Sequence, residues 1–164
     1  MNVSKSVEMV VFSNETVDWN TGRLKEENRV IPMKQDIIQI ANKPGIWRMV
    51  FRSEFVKCIN FPSFRMGEDQ VFLATVIQEQ PQIIFIDEIV YSYFLNVPSQ
   101  LTSSGDAIND LIFAASEMKS LCKDAKNPKF IYELLIRQYV SGLRHGHLKV
   151  KFRFASELLV FILS

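Results

Sequence analysis

Apolar and polar positions alternate in short blocks over roughly the first hundred residues, then settle into a helical period. The blocks VEMVVF (7–12) and RVIPM (29–33) have strand character, and the polar stretch SNETVDWNTGRLKEEN lies between them. Asn20, Thr21 and Gly22 supply a turn there, so the pattern predicts an extended, hairpin-like excursion with a solvated tip. MKQDIIQIANK (33–43) spaces Ile37, Ile38 and Ile40 for a short helix, stopped by Pro44-Gly45. RSEFVKC (52–58) reads as another short helix with Ser53 as its cap, and Pro62 biases the following NFPSF toward an extended loop.

Phe72, Leu73, Val76 and Ile77 recur at helical spacing, predicting an amphipathic helix from residue 68 to 79. QIIFI (82–86) and IVYSYF (89–94) read as two strands with Asp87-Glu88 as a tight turn between them. Proline, serine, threonine and glycine crowd residues 98 to 105 and mark a loop. Beyond it, DAINDLIFAASEMKSLCK, PKFIYELLIRQYVSGLRHG and FRFASELLVFILS are helical patterns, with Pro128 in a first turn and Gly142 near a helix end. The fold class is therefore α/β: a mixed sheet with flanking helices over residues 1–105, then a helical C-terminal region over 106–164. No internal repeat interrupts this plan.

Composition narrows the classes. A chain of 164 residues with 48% hydrophobic content can bury one sizeable core. Nineteen basic and eighteen acidic residues give a formal charge of +1, so no global field gathers nucleic acid and no nucleic-acid partner is expected. Cys58 and Cys122 lie far apart without a C-x-x-C pattern, which predicts two buried thiols in a reducing compartment rather than a disulfide or zinc site. The N-terminal apolar run is too short for a signal-peptide core, and no apolar segment is long enough to span a bilayer. The expected location is cytoplasmic, with peripheral contact at the inner face of the membrane.

The chemistry concentrates in FRMGEDQVF (64–72), where Gly67, Glu68 and Asp69 stand at the mouth of an apolar helix. Acids in a first helical turn are stabilised by its unpaired N–H groups, which is one sufficient reason for the pair. The other reading is catalytic. Gly67 permits a sharp turn or close approach, and Asp69 shares a face with Leu73 and Val76, which points its carboxylate to the edge of the core. A carboxylate there can take a proton from a bound hydroxyl. The helix N-terminus lowers its pKa and desolvation raises it, two opposed effects that spacing alone leaves open.

The segments GIWRMVFRSEFVKCINFPSFRMGEDQVFLATVI and IIFIDEIVYSYFLNVPSQLTSS carry an ordered set of features. These are Trp47, then Phe51, Arg52, Glu54 and Phe55, then Phe61 and Pro62. Gly67, Glu68, Asp69, Gln70 and Phe72 come next, and Tyr91 with Tyr93 and Ser99, Leu101 and Thr102 complete it. The set resembles the acceptor-side, C-terminal half of the catalytic domain in the inverting GT-A nucleotide-sugar glycosyltransferases often called family 2, over residues 7 to 105. The resemblance implies that Asp69 deprotonates the acceptor hydroxyl for a single inverting displacement. It implies that Glu68 holds an acceptor hydroxyl or orients the loop, and that Trp47 walls the acceptor pocket, although core packing serves a tryptophan equally well. Tyr91 and Tyr93 share one strand face and read as core. Phe94 stands where the family often has a basic residue.

The family's donor half is missing from the sequence: neither its P-x-Y-N strand nor its D-x-D motif occurs. The resemblance implies a divalent ion, magnesium or manganese, for the complete enzyme, but no metal-binding motif lies in this chain. The implied partners are a nucleotide-sugar donor and a glycan or lipid-linked acceptor, in surface polysaccharide or lipopolysaccharide synthesis. On this reading the chain is a fragment inactive by itself. The alternative is a non-catalytic module, derived from such a domain, that binds carbohydrate or a partner. His145 and His147 flank Gly146 at a spacing that faces them apart on a helix, which disfavours a metal site. Arg144, Lys149, Lys151 and Arg153 beside ELLVFIL fit either a solvated terminal helix or one lying on an anionic membrane surface.

Overall fold

The computed structural model describes residues 6–34, 36–98 and 109–163. Its organising element is strand β1 (Met9–Asp18), which is paired along both edges. Strand β2 (Leu24–Asn28) and strand β3 (Met49–Phe51) share one edge, both antiparallel: β3 opposite Met9 to Val11, β2 opposite Asn14 to Val17. Strand β4 (Ile83–Leu95) runs parallel to β1 along the other edge for the length of the strand. The result is an open, mixed four-stranded sheet among the described residues.

The hairpin is present, but it is built from the polar stretch rather than from the two apolar blocks. β1 runs on through Ser13, Asn14 and Asp18, all buried, because neighbours on both sides satisfy its backbone. Asp18 closes the turn by accepting the N–H groups of Asn20 and Thr21, at 3.1 and 3.0 Å, and the Thr21 hydroxyl. RVIPM is not a strand. The Val30 N–H goes to Ser13 Oγ, the Ile31 N–H goes to Gln39 Oε1, and Pro32 has no N–H to give a ladder.

QIIFI and IVYSYF form one strand, not two. Asp87-Glu88 is a bulge: the β1 register steps from Phe12 opposite Ile86 to Ser13 opposite Ile89. Ser13 Oγ donates to Asp87 at 2.7 Å and Arg29 lies 3.3 Å from the same carboxylate, which together hold the acid below its ordinary pKa against a smaller desolvation.

Six α-helices occur among the described residues. Helices α1 (Ile38–Asn42) and α2 (Ser53–Val56) are short, and a 3-10 turn (Ile46–Arg48) leads into β3. Ser53 is the first residue of α2 rather than its cap, which is Arg52, and no side chain caps that helix. The longer helices are α3 (Glu68–Gln78), α4 (Asp110–Cys122), α5 (Pro128–His145) and α6 (Leu148–Leu163). α3 packs on α4 and α5, α5 also meets α1, and α6 packs on α5. One buried cluster joins Met9, Val11 and Phe85 of the sheet to Leu73 and Ile77 of α3 and to Leu134 of α5. A single core therefore draws on residues from both sides of position 105.

The cysteines depart from expectation. Cys58, in the turn after α2, is exposed, and Cys122 is half-buried, its thiol raised by desolvation. No helix among the described residues is long and apolar enough to cross a membrane.

Candidate functional site

Gly67 is the N-cap of α3 and adopts a left-handed backbone, with φ at 85°. The two N-terminal acids follow at once, so the turn delivers Glu68 and Asp69 into the first helical turn together. The space behind Gly67 is filled. A Cβ there would fall 2.7 Å from Gln138 Nε2 on α5 and 2.8 Å from the Ala114 Cβ on α4. Both demands exclude a side chain: the left-handed backbone costs about 1 kcal/mol for a non-glycine residue and overpacking about 1–3 kcal/mol more. Gly67→Ala is accordingly expected to lower stability by about 2–4 kcal/mol, measured by urea denaturation; an unchanged midpoint would show that α4 and α5 yield at this contact.

Asp69 is half-buried, and its carboxyl is raised to about 6. Desolvation is the main cause and the neighbouring Glu68 charge the second. The Gln70 N–H, which donates to Asp69 Oδ1 at 2.8 Å, pulls the other way and loses. Of the two opposed effects at this helix start, burial wins. The group is a carboxylate at neutral pH with more basicity than an ordinary aspartate, as a proton acceptor requires.

Trp47 sits in the 3-10 turn, which packs against both α3 and β4. Its indole stacks on Tyr91 at 4.8 Å and on Tyr93 at 5.2 Å between ring centroids. It also folds over Gly45, where a Cβ would fall 2.4 Å from the ring. Trp47 remains half-buried and Tyr91 is 40% exposed, so the tyrosines are not core residues. β4 lies at the sheet edge, and its alternation carries both tyrosines to one face, where the indole stacks on them. The outcome is an aromatic platform shared by β4 and the 3-10 turn, and the turn itself packs against α3. Flat apolar rings with polar rims bind the C–H faces of sugars while leaving hydroxyls free for hydrogen bonding.

A cavity of about 580 Å³ lies on another side of α3, lined in part by Phe61, Pro62, Val71, Thr75 and Glu117. Asp69, Glu68 and Trp47 do not line it. Ser99, Leu101 and Thr102 lie outside the described residues. The loop before α3 is tied to α4 through Arg65, whose backbone N–H and Nε donate to Asp110 at 2.9 and 3.1 Å.

Two residues of the site's frame carry no local motif. Arg48 is 2% exposed and donates to the carbonyls of Lys43, Phe12 and Gln39. Its signal in the sequence is a lone cation inside the apolar run GIWRMVF. Gln138 is 1% exposed, with neither amide atom hydrogen-bonded, and lies against Gly67. Its signal is a polar residue on the inward stripe of α5, in step with Ile131, Leu134 and Leu135.

His145 ends α5 and His147 precedes α6. Among the described residues no three of His, Cys, Asp and Glu converge as a metal site.

A scan against models of known protein families finds no match, and a search of curated proteins finds no significant relative.

Proposed function

We infer that residues 7 to 105 form the acceptor-side part of an inverting nucleotide-sugar glycosyltransferase of GT-A type, with Asp69 as the catalytic base. The observation that carries the reading is Asp69 itself: a half-buried carboxylate raised to about 6, set at a glycine-capped helix start. The ordered motifs from Trp47 to Tyr93 support it, as does a mixed sheet with a parallel β4.

In this mechanism an acceptor hydroxyl lies over Trp47 with its proton toward Asp69. The hydroxyl oxygen attacks the anomeric carbon while Asp69 takes the proton. The bond from that carbon to the nucleoside diphosphate breaks on the opposite face, and the leaving phosphate carries away the electron pair. One displacement inverts the configuration. Glu68 orients the acceptor and, through its charge, keeps Asp69 basic. The donor would be a nucleotide sugar and the acceptor a glycan or lipid-linked saccharide at the cytoplasmic face of a membrane, in surface polysaccharide or lipopolysaccharide synthesis. Charge developing on the leaving diphosphate needs a metal ion or a cationic clamp to stabilise it.

The test is a transfer assay with the complete gene product, nucleotide sugars and saccharide acceptors, the product's anomeric configuration being read by NMR. An inverted glycoside is expected. A retained configuration overturns the single displacement, and saccharide binding with no nucleotide-sugar-dependent product identifies a non-catalytic carbohydrate-binding module instead.

A further inference from the structure

Helix α6 is held firmly on one side and bare on the other. Inward, Val150 and Phe154 are buried, and Phe154 meets Tyr139 edge to face at 5.9 Å between ring centroids. It presses so closely on Gly142 that a Cβ there would fall 2.4 Å from the ring. Glu157, the one acid on α6, is engaged by Lys119 at 3.0 Å and Arg153 at 3.4 Å. These contacts fix the helix's rotation about its own axis.

Outward, Leu148, Phe152 and Leu159 are 73%, 70% and 61% exposed. At 3.6 residues per turn they fall within an arc of about 40°, forming one apolar stripe. Lys149 and Arg153 border that stripe on one flank and Lys151 on the other, and exposed Arg144, His145 and His147 stand at the α5–α6 joint. Large apolar side chains aligned and uncovered mark a surface that meets something. Bases on both flanks, with no unengaged acid on the helix, select an anionic and apolar layer rather than water.

We propose that α6 docks on an anionic lipid bilayer, lying in the interface with Leu148, Phe152 and Leu159 among the acyl chains and Lys149, Lys151 and Arg153 at the headgroups. The helix does not span the bilayer; it rests on it, and the rest of the chain is held at the surface through the α5–α6 contact at Gly142. This proposal stands apart from the sugar-transfer reading and uses none of its residues.

The experiment is co-sedimentation of the full chain with vesicles of phosphatidylcholine alone, or with about one third phosphatidylserine, at about 0.15 M salt. Binding to the anionic vesicles is expected to be roughly tenfold tighter or more. Phe152→Glu with Leu159→Glu is expected to abolish it. Lys149→Gln with Lys151→Gln is expected to weaken it by about 25-fold, about fivefold per base. Lys149, Phe152 and Leu159 are exposed and Lys151 is half-buried, and thermal midpoints matching wild type confirm that the variants fold. Absence of binding to anionic vesicles, or equal binding to neutral ones, overturns the proposal. So does concentration-dependent self-association, without vesicle binding, that Phe152→Glu reverses, since the stripe would then be an interface between copies.

Discussion

On the proposed sugar-transfer mechanism, replacing Asp69 with asparagine is expected to lower turnover by roughly 10²–10⁴ while leaving donor affinity unchanged. The amide keeps the size and shape of the side chain but cannot take a proton. Because the working form is the carboxylate and its pKa is raised to about 6, wild-type kcat/KM is expected to fall as pH drops through that value. The variant should lose this limb of the profile. Retained turnover in Asp69→Asn would sink the base assignment.

The same carboxylate has a cost that can be measured without substrate. Its folded pKa lies above the ordinary 3.8, so between that value and about 6 the folded state keeps a proton that the unfolded state has released. Stability therefore declines as pH rises across this window, and the loss is complete above it. A displacement of that size corresponds to at most about 3 kcal/mol. Asp69→Asn carries no charge to desolvate, so its urea midpoint is expected to exceed that of wild type at pH 7 by more than at pH 4. Equal differences at both values would show that the carboxylate is well solvated. A substitution that stabilises the fold while removing activity is the signature of a site kept for function rather than for stability.

The largest loss of stability is expected from Arg48→Met, about 3–5 kcal/mol, from three backbone carbonyls left without a donor at about 1–3 kcal/mol each. The guanidinium is buried, and desolvation lowers its pKa to about 10, which still leaves it charged at neutral pH. Its four hydrogen bonds, two to the Lys43 carbonyl at 3.0 and 2.7 Å and one each to Phe12 at 3.2 Å and Gln39 at 3.3 Å, end on backbone oxygens. Methionine fills much of the volume and removes the buried charge, but it leaves those carbonyls without their donor, and a backbone group cannot be substituted away. Those bonds join β1, α1 and the turn that carries Trp47, so the near-ultraviolet circular dichroism of the stacked indole is expected to weaken in the same variant. Arg48→Lys keeps the charge but not the planar fork, and is expected to recover less than half of the loss. A midpoint within about 1 kcal/mol of wild type would mean that water replaces the guanidinium.

Local pattern sufficed wherever one short segment decides its own conformation. The period of Phe72, Leu73, Val76 and Ile77 yields α3 almost to the residue, but the helix is not amphipathic: Val71 and Ala74 are buried too and none of its residues is exposed, because α4, α5 and the 3-10 turn pack around it. Asn20, Thr21 and Gly22 yield the hairpin tip, which Asp18 closes. Pattern misled where pairing partners decide. The polar half of β1 is a strand because β2 and β4 flank it, and Asp87-Glu88 is a bulge because Ser13 and Arg29 satisfy Asp87 from across the sheet.

The candidate site divides along the same line. The sequence by itself determined that Gly67, Glu68 and Asp69 stand together at a helix start, because adjacency and helical spacing are local properties of the chain. Only the tertiary structure decided that burial outweighs the helix N-terminus in setting Asp69's pKa, that Tyr91 and Tyr93 lie under Trp47 rather than in the core, and that Gln138 closes the space behind Gly67. Each of these depends on groups far away in the chain. Desolvation, stacking and steric closure are set by what surrounds a side chain, and the surroundings exist only once the chain has folded.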